Sequence, residues 1–208
     1  MVCHGPTDGV QIPRSLEEIK AAGAPALIMV AGQALGEVQQ LIEAGWVCIG
    51  QTAFVGCELE PWLDVEIDPW VRRLEPADLE AARALTDDVF GIGPDLARVA
   101  IPDDATSRPG QTVWGVFTDR GELVSPLLCV QVEDVVGLWG IATPTRFRRQ
   151  GYARRLMNSV LAAAAQSGAR FAVGHTTPDG EAFDTSVGFE ILERWQQWSR
   201  PRWVLGRA

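Results

Sequence analysis

The stretch RFRRQGYARRL, residues 146–156, sets five arginines around a single glycine in a chain whose formal net charge is −9. Arginine carries a planar fork of donors that suits phosphate oxygens. Two chemistries fit such a run: a nucleic-acid patch, or the start of a helix that holds one phosphorylated small molecule. A helix start offers unpaired backbone N–H groups and the positive end of the helix dipole, and glycine lets an anion come close to the main chain. Arg148 and Arg149 stand just before the turn, and the small Ala153 keeps the first helical turn open. A pyrophosphate cradle is therefore expected here. No lysine followed by serine or threonine comes after the glycine, and G-x-G-x-x-G is absent, so this is neither a P-loop nor the dinucleotide fingerprint.

Other chemistry-bearing residues are spread along the chain. His175 closes the apolar run RFAVGH, and an unperturbed pKa of about 6.5 suits a general base; a histidine satisfied within a sheet is the competing reading. Glu133 and Asp134 occupy a short turn, where two acidic residues are also ordinary hairpin chemistry. Trp114, Trp139, Trp195 and Trp198 offer an aromatic lining for an acceptor pocket or simply core. Cys3, Cys48, Cys57 and Cys129 have no close pair and no histidines at zinc spacing apart from the adjacent Cys3 and His4, so reduced thiols and no metal site are expected.

The elements that must position these groups follow from the pattern. CELEPWLDVEIDP, residues 57–69, is crowded with proline and acid and reads as a boundary, giving an N-terminal α/β segment 1–68 and a main domain 69–208. WVRRLEP reads as a short strand, and ADLEAARALTDDVFG as a helix with Leu79, Ala82, Leu85 and Val89 on one face, ending near Gly91. PDLARVAIP is a second helical piece, and TVWGVF, SPLLCVQV and VVGLWGIAT form a three-stranded meander. A long helix runs from Gly151 to about Gln166, burying Leu156, Met157, Val160, Leu161 and Ala164, with Gly168 placed to end it. RFAVGHTT is the next strand, PDGEAFDTSV a short helix and FEILERWQQWSRPRWVLG the closing strands. This order describes a mixed α/β fold rather than a regular βαβ repeat.

Composition narrows the function. With 27 acidic against 18 basic side chains, the field at a distance repels polyanions, which argues against nucleic acid as the main partner. Lys20 is the one lysine; arginine-rich codon usage explains that bias too, so position carries the argument rather than count. There is no run of about 18 apolar residues and no signal-peptide pattern at the start, so a cytoplasmic protein without a membrane span is expected.

In this context the arginine stretch resembles the phosphate motif of the GNAT superfamily of acyl-CoA-dependent N-acyltransferases: arginine or glutamine, two residues, glycine, one residue, then glycine or alanine. RRQGYA, Arg148–Ala153, matches each defined position, LWGIAT precedes it, an amphipathic helix follows it, and DTSVGFE carries the family-like Gly188–Phe189 pair. The resemblance covers about residues 70–208. It implies acetyl-CoA as acyl donor, with the pantetheine arm paired to the backbone of Ile141, Ala142 and Thr143 and the pyrophosphate held by the N–H groups of Arg148, Arg149, Gln150, Gly151, Tyr152 and Ala153. A backbone N–H near Trp139–Ile141 would stabilise the oxyanion as a primary amine of a small molecule or peptide attacks.

The catalytic groups depart from the family pattern. Many members carry a tyrosine, as proton donor to the thiolate, five residues before the phenylalanine of the Gly-Phe element. Here that position is Asp184, and the sole tyrosine is Tyr152. An asparagine often found after the preceding strand is also absent, with Thr177 nearest. Chemistry offers substitutes: His175 ends its strand near where the amine should arrive, Glu133 stands where several members hold a carboxylate that removes the proton through water, and Asp184 either contacts the amine or merely faces solvent. A protein that binds acyl-CoA with little catalysis is the alternative function.

Residues 24–59 share a strand, helix, strand rhythm with 168–201: Gly36–Glu37 mirrors Gly180–Glu181, and Gly45–Trp46 mirrors Gly188–Phe189. A degenerate partial copy of the same fold and generic similarity both account for this. No counterpart of RRQGYA precedes it, so CoA binding is not expected there. Extension of the sheet, cover for the main domain and an interface between two copies of the chain are the roles it offers.

Overall fold

The computed structural model describes residues 2–3, 11–23 and 26–201. In chain order its elements are β1 Val2–Cys3, α1 Gln11–Ala22, β2 Ile28–Val30, α2 Gln39–Glu43, β3 Val47–Glu58, β4 Val71–Arg73, α3 Leu79–Phe90 and α4 Pro94–Ala100. After these come β5 Gln111–Phe117, β6 Leu123–Val132, β7 Val135–Trp139, α5 Tyr152–Gln166, β8 Phe171–Thr176, α6 Pro178–Ser186 and β9 Glu190–Ser199. Packing divides the chain into two units, one of Met1–Val55, His175–Asp184 and Ile191–Ala208, the other of Gly56–Gly174 and Thr185–Glu190.

In the second unit the strands lie in the order β3, β8, β7, β6, β5, β4, with β3 contributing its last residues. The β4–β5, β5–β6 and β6–β7 pairs are antiparallel, while β7 and β8 are parallel. A parallel neighbour requires a crossover, and α5 supplies it. Side chains alternate along β5, so its two faces meet different helices. Val113 packs with Leu79, Ala82 and Leu85 of α3, whereas α5 covers the opposite face with Leu156, Met157, Val160 and Leu161, all buried. That apolar stripe fixes the rotation of α5 and therefore the direction in which its N-terminus points.

The first unit orders its strands β1, β2, β9, β3 around a core of Ile12, Ile28, Val30, Leu41, Trp46 and Trp198. β1 and β2 run parallel, β2 and β9 antiparallel.

Three details differ from the sequence expectation. β3 runs unbroken to Glu58, so the division falls at Val55 and Gly56 rather than at 68, and the chain returns to the first unit at His175. Within the closing stretch, the described residues form one ten-residue strand, β9, and 202–208 lie outside them. β7 stops at Trp139, short of the expected Thr143. Among the described residues no helix is long and apolar enough to cross a membrane.

Candidate active site

The arginine stretch builds a main-chain cradle in the second unit. A turn at Thr145–Phe147 leads to Arg148 in extended conformation (φ −66°, ψ 157°), and Arg149 and Gly151 then take left-handed φ values of 63° and 84°. Alternation of hand along consecutive residues turns successive N–H groups toward one concave side, the arrangement that binds anions. Gly151 caps α5 with no side chain, and Arg155 N–H makes the first bond of the helix, to the Gly151 carbonyl at 3.0 Å. The N–H groups of Tyr152, Ala153 and Arg154 are thereby left at the positive end of a 15-residue helix without an intrahelical acceptor. One sequence expectation needs correction: Arg148 N–H is already donated to the Thr145 carbonyl at 3.2 Å, so the row of available donors begins at Arg149.

The five arginines have separate tasks. Arg148 Nε donates to the Thr143 carbonyl at 3.0 Å and ties the cradle to the preceding segment. Arg146 pairs with Asp88 at 3.6 Å and lies over the Phe147 ring, Arg155 stands 3.8 Å from Asp68, and Arg154 grips the carbonyl and hydroxyl of Ser186 at 2.9 and 2.8 Å. Arg149 alone of the five has no side-chain partner among the described residues, and it is exposed at the cradle. Arg149→Ala is therefore expected to weaken acetyl-CoA binding about three- to tenfold, the effect shrinking as salt rises. Arg154→Ala should instead lower the melting temperature and leave that affinity within about twofold. Calorimetric titration and thermal unfolding of the two variants check both.

The segment before the cradle leaves its sheet in an ordered way. Leu128 pairs with Trp139, but Ala142 N–H reaches the Pro126 carbonyl (3.3 Å) one residue later than the register requires. The slip falls at Gly140, whose φ of 69° marks a bulge that frees a residue from the ladder. On the other side, β7 pairs with β8 as far as Leu138 and Gly174. Gly174 keeps this pairing close, since a Cβ would sit 3.1 Å from the Leu138 carbonyl oxygen, a tight contact. Ile141, Ala142 and Thr143 thus form a segment past the strand with no regular structure, anchored by Ala142 N–H and by Thr143 Oγ1 on Ser125 Oγ at 2.9 Å.

In the first unit His175 belongs to an aromatic group. Its ring stands edge-on to Trp195 (centroids 4.3 Å apart) and tilted to Phe54 (5.2 Å), while Phe54 and Trp195 stack at 4.9 Å. Burial among rings disfavours imidazolium and holds the His175 pKa below its ordinary 6.5, leaving the neutral base at pH 7. Glu193 orients Trp195 by accepting its indole N–H at 2.9 Å. On α6, the Asp184 carboxyl is pushed above the usual range by burial, opposed by a hydrogen bond from the Thr176 hydroxyl. Thr52 Oγ1 in turn donates to the Thr176 carbonyl at 2.7 Å.

Glu133 is not brought to the cradle. It sits exposed in the turn from β6 to β7, with φ 53°, and the five residues of β7, about 17 Å at ~3.3 Å each, separate it from Gly140. Its expected role as the carboxylate that removes the proton has no geometric support. Trp114 and Trp198 are buried, bonded through their indoles to Thr112 and Gln196, whereas Trp139 is 44% exposed. Phe54 and Gly140 were not singled out in the sequence; a glycine inside a strand pattern was the available signal for the bulge. His4 lies outside the described residues, and among the described residues no group of histidine, cysteine and carboxylate side chains could hold a metal.

Comparison with known proteins bears on this arrangement directly. The model of the acetyltransferase (GNAT) family matches residues 79–183. Among solved structures, a GCN5-related N-acetyltransferase from Kribbella flavida superposes with a TM-score of 0.65 at 20% identity, over 95% of this chain and 78% of that one. A GCN5-related N-acetyltransferase from Sphaerobacter thermophilus gives 0.65 at 14%, over 92% and 66%. AAC(6')-Iy, in complex with the bisubstrate analog CoA-S-monomethyl-acetylneamine, gives 0.50 at 23%, over 58% and 89%. These likenesses are of fold. A search of the curated proteins gives no match. The family model spans half of the chain and includes the bulged strand, the cradle and α5: the chain belongs to the GNAT family of acetyltransferases.

Proposed function

We propose that this protein is an N-acetyltransferase that moves the acetyl group of acetyl-CoA directly to a primary amine of a small molecule or peptide. The observation that carries the reading is the left-handed pair Arg149 and Gly151 at the uncapped start of α5, a main-chain socket suited to a pyrophosphate. The segment Ile141–Thr143, past the end of β7, is offered for the pantetheine arm. When acetyl-CoA is bound it supplies an activated thioester; the chain positions it and handles protons.

The main chain around the Gly140 bulge would donate an N–H to the carbonyl oxygen as negative charge develops there. His175 follows Gly174, the residue that pairs with Leu138, and its depressed pKa makes it a free base at neutral pH, able to accept the proton that the ammonium must shed. Asp184 stands where many relatives hold a tyrosine, and a carboxyl whose pKa is raised keeps its proton to higher pH than an exposed aspartate. That is the direction needed to return a proton to the departing thiolate.

The test is turnover. Purified protein incubated with acetyl-CoA and a panel of primary amines is expected to release free thiol with at least one acceptor, saturably in both substrates. Saturable acetyl-CoA binding with no thiol release across the panel would overturn the assignment and leave an acyl-CoA-binding protein.

A further inference from the structure

Thr176 is the last residue of β8, just before α6 begins at Pro178, and it is buried in the first unit. Its main chain is pinned from β3, where Thr52 Oγ1 donates to the Thr176 carbonyl at 2.7 Å. Its hydroxyl faces α6. A Cβ on Gly180 would stand 2.5 Å from Thr176 Oγ1, so the bare glycine in the first turn of the helix lets the hydroxyl lie against it. Gly180 and Asp184 are four apart and share one helix face, and the Asp184 carboxyl meets the same hydroxyl.

A hydroxyl has one proton to donate and two lone pairs with which to accept. Thr176 has two acceptors for that proton, the Thr177 carbonyl at 3.3 Å and the Asp184 carboxyl. Both cannot be served at once. While Asp184 is protonated, the carbonyl takes the Thr176 proton. Once Asp184 is ionised, rotation about the Cβ–Oγ1 bond turns that proton to the carboxylate, and no heavy atom has to move. The surroundings give the carboxylate little other support, since no ion pair reaches Asp184 among the described residues. Glu181, on the same helix, is bound by Arg194 of β9 at 2.8 and 2.9 Å, and Asp179 is exposed in the first turn. On β9, Glu193 accepts from the Trp195 indole and from Gly32 N–H. His175, the neighbour in β8, points to the opposite face of the strand and is held neutral.

We propose that Thr176 is a positioning residue for Asp184, its one proton resting on the Thr177 carbonyl while Asp184 is protonated and turning to the carboxylate when Asp184 passes its proton to the coenzyme A thiolate. Only that last step rests on the acetyl-transfer reading. In it the Asp184 O–H bond breaks, an S–H bond forms on coenzyme A, and the carboxylate recovers a proton from solvent before the next turnover.

The experiment follows the Asp184 carboxyl by carbon NMR of the full chain labelled at aspartate, the signal assigned with Asp184→Asn, and reads thiol release against pH on the same samples. Thr176→Val keeps the shape of the side chain and removes the donor. A hydrogen bond to the charged form favours ionisation, so its loss should move the Asp184 titration up by about one pH unit or more. Thr176→Ser restores the hydroxyl and should return the titration to the wild-type value. The alkaline limb of kcat, where Asp184 loses the proton it must donate, should move up with the titration in Thr176→Val while acetyl-CoA affinity stays unchanged. A wild-type titration in Thr176→Val, or no return toward it in Thr176→Ser, would overturn the proposal whether or not the protein turns over. A titration that moves while the alkaline limb stays would overturn the part of Thr176 in proton return. Absence of thiol release from the wild type with every amine is a separate failure, that of the acetyl-transfer reading, and the NMR titration still decides the hydroxyl exchange.

Discussion

Gly151→Val is expected to raise the dissociation constant for acetyl-CoA about 100-fold while the protein still folds. Two costs fall on different equilibria. The position has φ 84°, a region in which a β-branched residue is strained by roughly 1–2 kcal/mol, a cost to folding that is the same with and without ligand. Nothing within 4 Å would meet a Cβ placed there, so the fold itself has room, and methyl groups on the residue that opens α5 are expected to crowd a pyrophosphate. Loss of main-chain contact to a charged group costs binding roughly 1.5–3 kcal/mol, and each 1.4 kcal/mol is a factor of ten. Gly151→Ala should fall between the two, since it carries the backbone strain with less bulk. Binding is read by calorimetry and folding by near-ultraviolet circular dichroism. Affinity of Gly151→Val within threefold of the wild type would remove the cradle from the account of CoA binding.

His175→Gln should lower kcat by about 10²- to 10⁴-fold with acetyl-CoA affinity unchanged, the usual range for loss of a positioned base. Packing against Phe54 and Trp195 gives His175 structural weight as well, so the pH profile separates the two roles. Because burial lowers its pKa, kcat/KM should be flat through neutrality and fall on the acid side, below pH 6.5, as the imidazole protonates. Stability should follow the same sign. A histidine whose folded pKa lies below its unfolded value favours the folded state above the unfolded pKa, and that contribution is lost as pH falls through the folded value. In His175→Gln both the acid limb of kcat/KM and this part of the acid destabilisation should disappear. A variant that loses only the stability slope would make the residue structural.

The site was legible in the sequence where chemistry is local. RRQGYA marks the expected cradle because its donors belong to consecutive residues, and the stripe Leu156, Val160, Leu161 marks the face of α5 that is buried. What stayed hidden depends on residues distant in sequence. That Arg154 serves Ser186 and Arg146 serves Asp88, leaving Arg149 open, follows from which acids and hydroxyls the fold carries to each side chain. Glu133 was placed correctly in its turn, yet the length of β7 carries it away from the cradle. The aromatic group around His175 also needed the fold, since Phe54 comes from β3 and Trp195 from β9. The proline-rich stretch after Glu58 looked like a boundary, but compactness divides the chain inside β3, where no composition change occurs.

A socket whose donors are almost all main-chain N–H groups also has an evolutionary consequence. Replacing Gln150 or Tyr152 by other residues that carry an N–H leaves the row of donors in place, so such changes alter the signature in the sequence without removing a donor. Two kinds of change remain forbidden: proline, which deletes a donor, and any bulky residue at Gly151. Solved structures that share 9–23% identity with this chain keep its fold although little sequence similarity survives.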